Sequence, residues 1–345
     1  MSGSLDMGVQ LAANAARVGW FYGINQLVDA QARRAGHRPG GRPRRAVPTR
    51  EELLGALAKL MMDDASAVRD GLYPPPEADA AALVGHLDRV RAMFKDLPEV
   101  LARRGTRRAD SARQEAGAAG MPDYYAQDFH FQTGGYLAPE SARIYDVQVE
   151  TLFYGAANAM RRAALRPLAE AIRGRDQRQL SLLDVACGTG RFLRQVRLAW
   201  PALKLTGLDL SQPYLDEAAR HLGALRSADL IQGNAEAIPL ADASHDVVSA
   251  IFLYHELPGE VRARVTAEIA RVLKPGGIFV FIDSLQIGDR PGWDGLLEAF
   301  PVRFHEPYFR HYAIDDLDAM FAREGLPADS RSLQFLSKLM VRRKP

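Results

Sequence analysis

A single cysteine in 345 residues excludes an internal disulfide framework and any metal site built from several thiolates. No apolar run reaches membrane-spanning length; the stretch from Leu11 to Val28 is broken by Asn14, Arg17, Asn25 and Gln26. The formal charge is only +2, so the broad basic face that grips nucleic acid is missing. The basic clusters that exist, His37 to Arg50 and Arg103 to Arg113, sit among helix breakers, and no internal repeat is visible. Apolar residues make up 47% of the chain, ample for a packed core, over a length that exceeds one average domain. The expectation is a soluble, cytoplasmic, two-part protein with no membrane span and no nucleic-acid partner.

The first part reads as helices. Ser4 to Arg34 has helical spacing, with Leu11, Val18, Phe21 or Tyr22, and Leu27-Val28 on one face. Thr49 and Glu52 form a capping box for a helix to about Arg69, which Pro74-Pro75-Pro76 prevents from continuing. A helix over 78–95 and a short one over 98–104 follow, and residues 139–172 read as one helix or two. Gly36 to Pro48 and Gly105 to Gly120 read as flexible linkers. These helices offer a surface for a homodimer, although no heptad compels one.

The second part opens on Leu182-Leu183-Asp184-Val185-Ala186-Cys187-Gly188-Thr189-Gly190-Arg191: a short apolar strand, a small-residue turn and a helix start. Only a turn nearly free of side chains lets backbone N–H groups close on a ligand. Cys187 fits there as a small residue rather than as a reactive thiol. A dinucleotide fingerprint wants glycine where this chain has Ala186, Gly188 and Arg191. That departure, with no second nucleotide-binding half, argues against a nicotinamide-dependent oxidoreductase. Leu203 to Asp209 is a second strand ending in a carboxylate suited to two ribose hydroxyls. Strands near 180–186, 204–208, 229–232, 246–252 and 278–283 alternate with helices near 190–199, 212–221 and 259–273, which demands a mainly parallel sheet covered on both faces. A helix over 314–324 and a hairpin of 330–334 with 338–343 close it.

Three further segments follow in order: Leu230 to Leu240, Ser244 to Leu257 and Arg271 to Phe281. Together with the glycine turn they resemble the class I S-adenosylmethionine-dependent methyltransferases, especially the small-molecule branch of the ubiquinone and menaquinone methyltransferases. The resemblance runs from about Leu180 to the end. It implies an α/β, Rossmann-like domain over 146–345 with a C-terminal antiparallel hairpin, preceded by an α-helical N-terminal or lid domain over 1–145. It implies S-adenosyl-L-methionine as cofactor and S-adenosyl-L-homocysteine as product. Asp184 would orient the methionine ammonium, with Ala186, Cys187, Gly188 and Gly190 as the cradle. Asp209 would hold the ribose, Leu210 would flank the adenine, Asn234 and Ala235 would read its amino edge, and Phe252 would complete the cofactor site. Ala186 departs from the family's usual glycine, and Asn234 stands where many relatives carry aspartate.

Methyl transfer needs an in-line nucleophile and a water-poor pocket more than strong acid catalysis. Tyr254 and His255 follow the fourth strand, where a parallel sheet presents residues to substrate, and an imidazole with a pKa of about 6.5 suits proton removal. The aromatic, glycine-containing loop Tyr124 to Tyr136 offers Gln132, Thr133 and Tyr136 as lid residues. The aromatic insert Ser284 to Tyr312 offers Tyr308 and His311. The expected activity is methylation of an O, N, S or activated carbon atom of a small apolar or aromatic molecule, without metal. The competing reading is a methyltransferase-like protein that holds the cofactor or a partner without turnover.

Overall fold

The computed structural model describes residues 2–37, 43–76 and 80–345. Three long helices open it: α1 (Ser2–Arg34), α2 (Arg50–Arg69) and α3 (Ala80–Thr106). Thr49 caps α2 as its sequence requires, its hydroxyl accepting from the Glu52 N–H at 3.2 Å while its own N–H donates to Glu52 at 2.7 Å. On α1 Phe21 and Ile24 are buried and packed with Met93 and Val147, whereas Tyr22 and Leu27 face outward. Part of the expected 36–48 linker, residues 38–42, lies outside the described residues, as do residues 78 and 79 of the helix expected from 78. That helix continues through Pro98 instead of breaking. The proline forfeits one backbone hydrogen bond, and Leu97 and Leu101 bury against Ala32 across the same turn.

Residues 105–120 are not the structureless linker expected. Two 3-10 turns, Ser111–Gln114 and Ala116–Ala118, form there. Asp128, fully buried, accepts from the Ser111 N–H and hydroxyl and the Ala112 N–H at 3.0, 2.8 and 2.7 Å. Helices α4 (Pro139–Leu152), α5 (Ala157–Arg162) and α6 (Leu165–Ile172) then lead to the sheet. Helix α4 spans the boundary expected at 145/146 and lies against both α3 and α8 (Gln212–Leu222).

The sheet has seven strands: β1 (Ser181–Val185), β2 (Lys204–Asp209), β3 (Asp229–Gln232), β4 (His245–Ile251), β5 (Leu273–Ser284), β6 (Ala328–Gln334) and β7 (Ser337–Arg343). Their order is β3-β2-β1-β4-β5-β7-β6, parallel except that β7 runs antiparallel to β5 and β6. Helices α7 (Arg191–Ala199), α8 and α9 (Gly259–Val272) supply the crossovers. The apolar runs of β1 and β4 are buried on both faces, as a covered parallel sheet requires. Chain order reverses between β1 and β4, and this switch point opens a crevice beyond the strands' C-terminal ends. The 285–312 insert contains α10 (Asp294–Arg303) and α11 (Phe309–Tyr312), and α12 (Leu317–Arg323) precedes the hairpin. No described helix is long and apolar enough to cross a membrane.

A buried ion pair fastens the N-terminal helices to the second part. Arg162 on α5 grips Asp64 on α2 with two parallel bonds of 2.7 and 2.6 Å, and the Tyr73 hydroxyl donates to the same carboxylate at 2.9 Å. Removing one partner strands the other charge in the core, whereas replacing both does not. Asp64→Ala is expected to lower unfolding free energy by about 3–5 kcal/mol, and the Asp64→Leu/Arg162→Met double variant by clearly less, as read from denaturant unfolding.

Candidate active site

The turn after β1 bends back on itself through left-handed backbone at Ala186 (φ 56°), Gly188 (φ 54°) and Gly190 (φ 72°). Ala186 adopts this conformation with a side chain, at a cost of about 1–2 kcal/mol. The Cys187 N–H anchors the turn to β2 by donating to the Leu208 carbonyl at 3.0 Å. The two glycines serve different ends. A Cβ on Gly190 would lie 2.8 Å from the Ala218 Cβ, so this glycine lets α7 pack on α8; a Cβ on Gly188 would meet no protein atom within 4 Å. The space before Gly188 is a cradle that any side chain would occupy.

Two carboxylates face this cradle without a cationic hydrogen-bond partner. Asp184, near the end of β1, accepts from the Ser249 hydroxyl at 2.7 Å, and burial pushes its pKa up to about 7. Asp209, the last residue of β2, accepts from the Gly188 N–H at 2.8 Å and the Ser211 N–H at 2.9 Å. Burial outweighs those bonds and carries it up to about 6. The pocket also takes in Leu210, Asn234 and Ala235, the last two on the turn after β3. The Asn234 side chain accepts from the Glu236 N–H at 2.9 Å. Phe252, with φ 59°, stacks on Phe153 at 6.0 Å and has the Arg161 guanidinium 5.8 Å from its ring centre.

The N-terminal part forms the roof. Tyr124, Tyr125, Phe129, Tyr136 and Tyr145 line the pocket together with Tyr214 of α8. Tyr136 stacks on Phe129 at 5.2 Å and meets Tyr145 and Tyr214 edge-on at 5.9 and 5.4 Å. Such offset and edge-on pairs hold rings in fixed orientation. Glu256 enters the same pocket from the turn after β4 and accepts from the Tyr136 hydroxyl at 2.5 Å.

Several residues predicted for the site stand elsewhere. Gly190 packs between helices, as described. Tyr254 is turned into the core, its hydroxyl on Thr266 at 2.9 Å and its ring edge-on to Phe281. His255 lies behind the pocket wall, its Nδ1 at 2.6 Å from Asp283 and its ring against Phe309 and Tyr312. Burial disfavours its charge, but Asp283 and then Glu256 outweigh that and raise its pKa to about 9. The imidazole is therefore protonated at neutral pH and is no ready base. Gln132 is buried against Ser141, accepting at 2.5 Å, and Thr133 sits at the surface bonded to Asp96 and Arg103. Tyr308 lies outside the pocket with its hydroxyl accepting from Gln127 at 3.2 Å, and His311 is exposed beside Arg262. The 285–312 insert mostly backs the site rather than roofing it, because Trp293, Phe309 and Tyr312 are core residues.

Sequence reasoning sets Tyr254-His255-Glu256 toward the substrate without giving Glu256 a role, and it misses Tyr145, Tyr214 and Arg161 as lining residues. Glu256 adjoins the chosen His255, and the contact of His255 with Asp283 on β5 is what separates the two. Tyr145, Tyr214 and Arg161 lie on helices with no motif to mark them.

The pocket suits S-adenosylmethionine on its own terms. The cradle at Gly188 is open, and two buried carboxylates stand where a ligand bearing an ammonium, a sulfonium and a ribose can satisfy them.

Comparison with known proteins agrees. Residues 182–277 match the family described as a methyltransferase domain. The chain is 34% identical over 165 residues to the ubiquinone/menaquinone biosynthesis C-methyltransferase UbiE of Methylobacterium nodulans, covering 47% of this chain and 63% of that protein. It is 34% identical over 138 residues to the demethylmenaquinone methyltransferase of Listeria welshimeri, covering 39% and 57%. Against the phthiotriol/phenolphthiotriol dimycocerosates methyltransferase of Mycobacterium tuberculosis it is 33% identical over 122 residues, covering 35% and 44%. In each case the match spans less than two thirds of the relative's own length. In its motifs, its sheet order and these matches, the second part of this chain is similar to the class I S-adenosylmethionine-dependent methyltransferases, and among them to the ubiquinone/menaquinone methyltransferases.

Proposed function

We propose that the protein binds S-adenosylmethionine at the β1–β2 corner and directs methyl transfer to a small apolar or aromatic acceptor held under the tyrosine roof. One observation carries this reading: a single pocket joins Asp184, Gly188, Asp209 and Asn234 to six aromatic rings contributed by the N-terminal part and α8. In this reading Asp209 holds the ribose hydroxyls, Leu210 and Asn234 border the adenine, and Asp184 turns toward the methionine ammonium. When bound, the cofactor supplies an electrophilic methyl on a sulfonium. The aromatic faces favour a cationic centre and exclude water, while the acceptor is positioned in line by shape. The relatives' names speak of quinone and phenolphthiotriol methylation, which accords with an aromatic or apolar acceptor.

Two measurements test the cofactor assignment. In calorimetric titrations, Asp209→Ala is expected to lose S-adenosylmethionine binding. Gly188→Ala is expected to stay folded, with an unfolding free energy within about 2 kcal/mol of wild type, yet to bind at least about tenfold more weakly because its methyl enters the cradle. Unchanged affinity in both overturns the assignment.

The raised carboxylates set a pH dependence. Below about pH 6 Asp184 and Asp209 are largely neutral in the free protein, and a cationic ligand must displace their protons. Affinity is therefore expected to rise from pH 5.5 to pH 8 with proton release on binding, read by calorimetry in buffers of differing ionisation enthalpy. A flat profile contradicts the placing of these two groups at the cofactor.

A further inference from the structure

Glu256 has surroundings that the cofactor does not explain. Its Oε1 accepts from the Tyr136 hydroxyl at 2.5 Å and lies 3.8 Å from the Nε2 atoms of both His130 and His255. Each histidine is held from behind by its own buried carboxylate, His255 by Asp283 at 2.6 Å and His130 by Glu306 at 2.8 Å. Oε2 accepts no hydrogen bond from any described residue and is not among the fully enclosed polar atoms, and the residue that carries it lines the pocket. The other ionisable groups that feel its charge are Asp209 and the ring hydroxyls of Tyr125, Tyr145 and Tyr214.

We propose that Glu256 is the catalytic base of this pocket and that its acceptor is a hydroxyl carried on an aromatic ring. The proposal rests on the methyl-transfer reading above and goes beyond it by naming the proton acceptor and the substrate class. The acceptor O–H donates to Oε2. As an oxygen lone pair forms the new O–CH3 bond, the C–S bond breaks, its electron pair stays on sulfur, and the hydroxyl proton passes to Oε2. The products are an aryl methyl ether, a neutral thioether and a protonated Glu256, which later yields its proton to solvent.

Charge balance favours this arrangement. Three carboxylates, Glu256, Asp283 and Glu306, face two imidazolium groups. Burial opposes charge on His130, but Glu306 and Glu256 outweigh it and raise its pKa to about 10, beside about 9 for His255. The cluster thus carries one negative charge opposite the sulfonium before transfer and none after it, so no charge separation is created in a water-poor cavity. A weak base suffices, because the hydroxyl proton becomes strongly acidic as the oxygen is alkylated. What matters is that the base is ionised and aimed. His130 and His255 are positioning residues that act through Glu256.

The test uses the full chain, with 1-naphthol, 1-naphthylamine and naphthalene as matched probes and labelled S-adenosylmethionine as donor. The proposal expects 1-naphthol to be bound in the presence of S-adenosylhomocysteine and converted to 1-methoxynaphthalene, in preference to the other two. Glu256→Gln is expected to lower kcat by about 10²–10⁴-fold while S-adenosylmethionine binding stays within about threefold of wild type. His255→Asn, which still offers Asp283 a donor, is expected to lower kcat while the KM for 1-naphthol and S-adenosylmethionine binding stay within about threefold of wild type, since His255 acts only through the aim of Glu256. Wild-type turnover in Glu256→Gln, methylation of a ring carbon or preference for the amine overturns the proposal. Absence of S-adenosylmethionine binding by the wild type defeats the parent reading instead, and this proposal with it.

Discussion

Asp146, a buried carboxylate on α4, ties the roof of the pocket to its floor. One oxygen accepts from the Thr189 hydroxyl at 2.8 Å and the other from Arg191 Nε at 2.8 Å, so both bonds reach the turn and the first residue of α7. Burial alone would raise the pKa of this group, but the guanidinium of Arg191 foremost, with that of Arg161, outweighs it and holds the carboxyl below its ordinary range. It is anionic at any physiological pH. It also answers a local conflict, because an arginine at the N-terminus of a helix opposes the helix dipole and needs a compensating anion. A second tie, from the Ser211 hydroxyl to the Tyr136 carbonyl at 2.6 Å, fixes the aromatic loop to the start of α8. The aromatic loop and α4 are consequently fixed to the wall of the pocket.

From this clamp the pocket acquires its two characters. Its floor is polar, made of strand ends that leave Asp184 and Asp209 partly desolvated and short of cations. Its roof is aromatic and rigid, with Tyr145 carried on the same helix as Asp146. A fold that buries two carboxylates in this way loses stability by doing so, and the loss is recovered when a cation binds. Strain at Ala186 and Phe252, both with positive φ, lies at the same rim.

The sheet was legible in the sequence because its signals are local. Apolar strands bounded by glycine, and a turn that only small residues can make, specify β1 and its neighbours with little help from distant contacts. The same holds for the placing of Asp184, Gly188, Asp209 and Asn234 in one pocket, since each lies at or just beyond the C-terminal end of a strand. The aromatic loop was legible as a roof, but not which of its side chains look inward. Gln132 and Thr133 looked suitable by chemistry, and the left-handed backbone at His130 and Phe131 turns them away. His255 and Glu256 differ by one position on a short 3-10 turn, and only the partner Asp283 on β5 decides which of them faces the pocket. The segment around Ser111 read as a linker because its anchor, Asp128, is remote in sequence.

The central claim is that the helical part completes the cofactor site through Asp146. The most direct measurement is a calorimetric S-adenosylmethionine titration of Asp146→Ala beside wild type at pH 7.5, with far-ultraviolet circular dichroism confirming an intact fold. The account predicts at least a tenfold loss of affinity in the folded variant. Equal affinity would show that the sheet domain binds its cofactor without the helical roof and would contradict it.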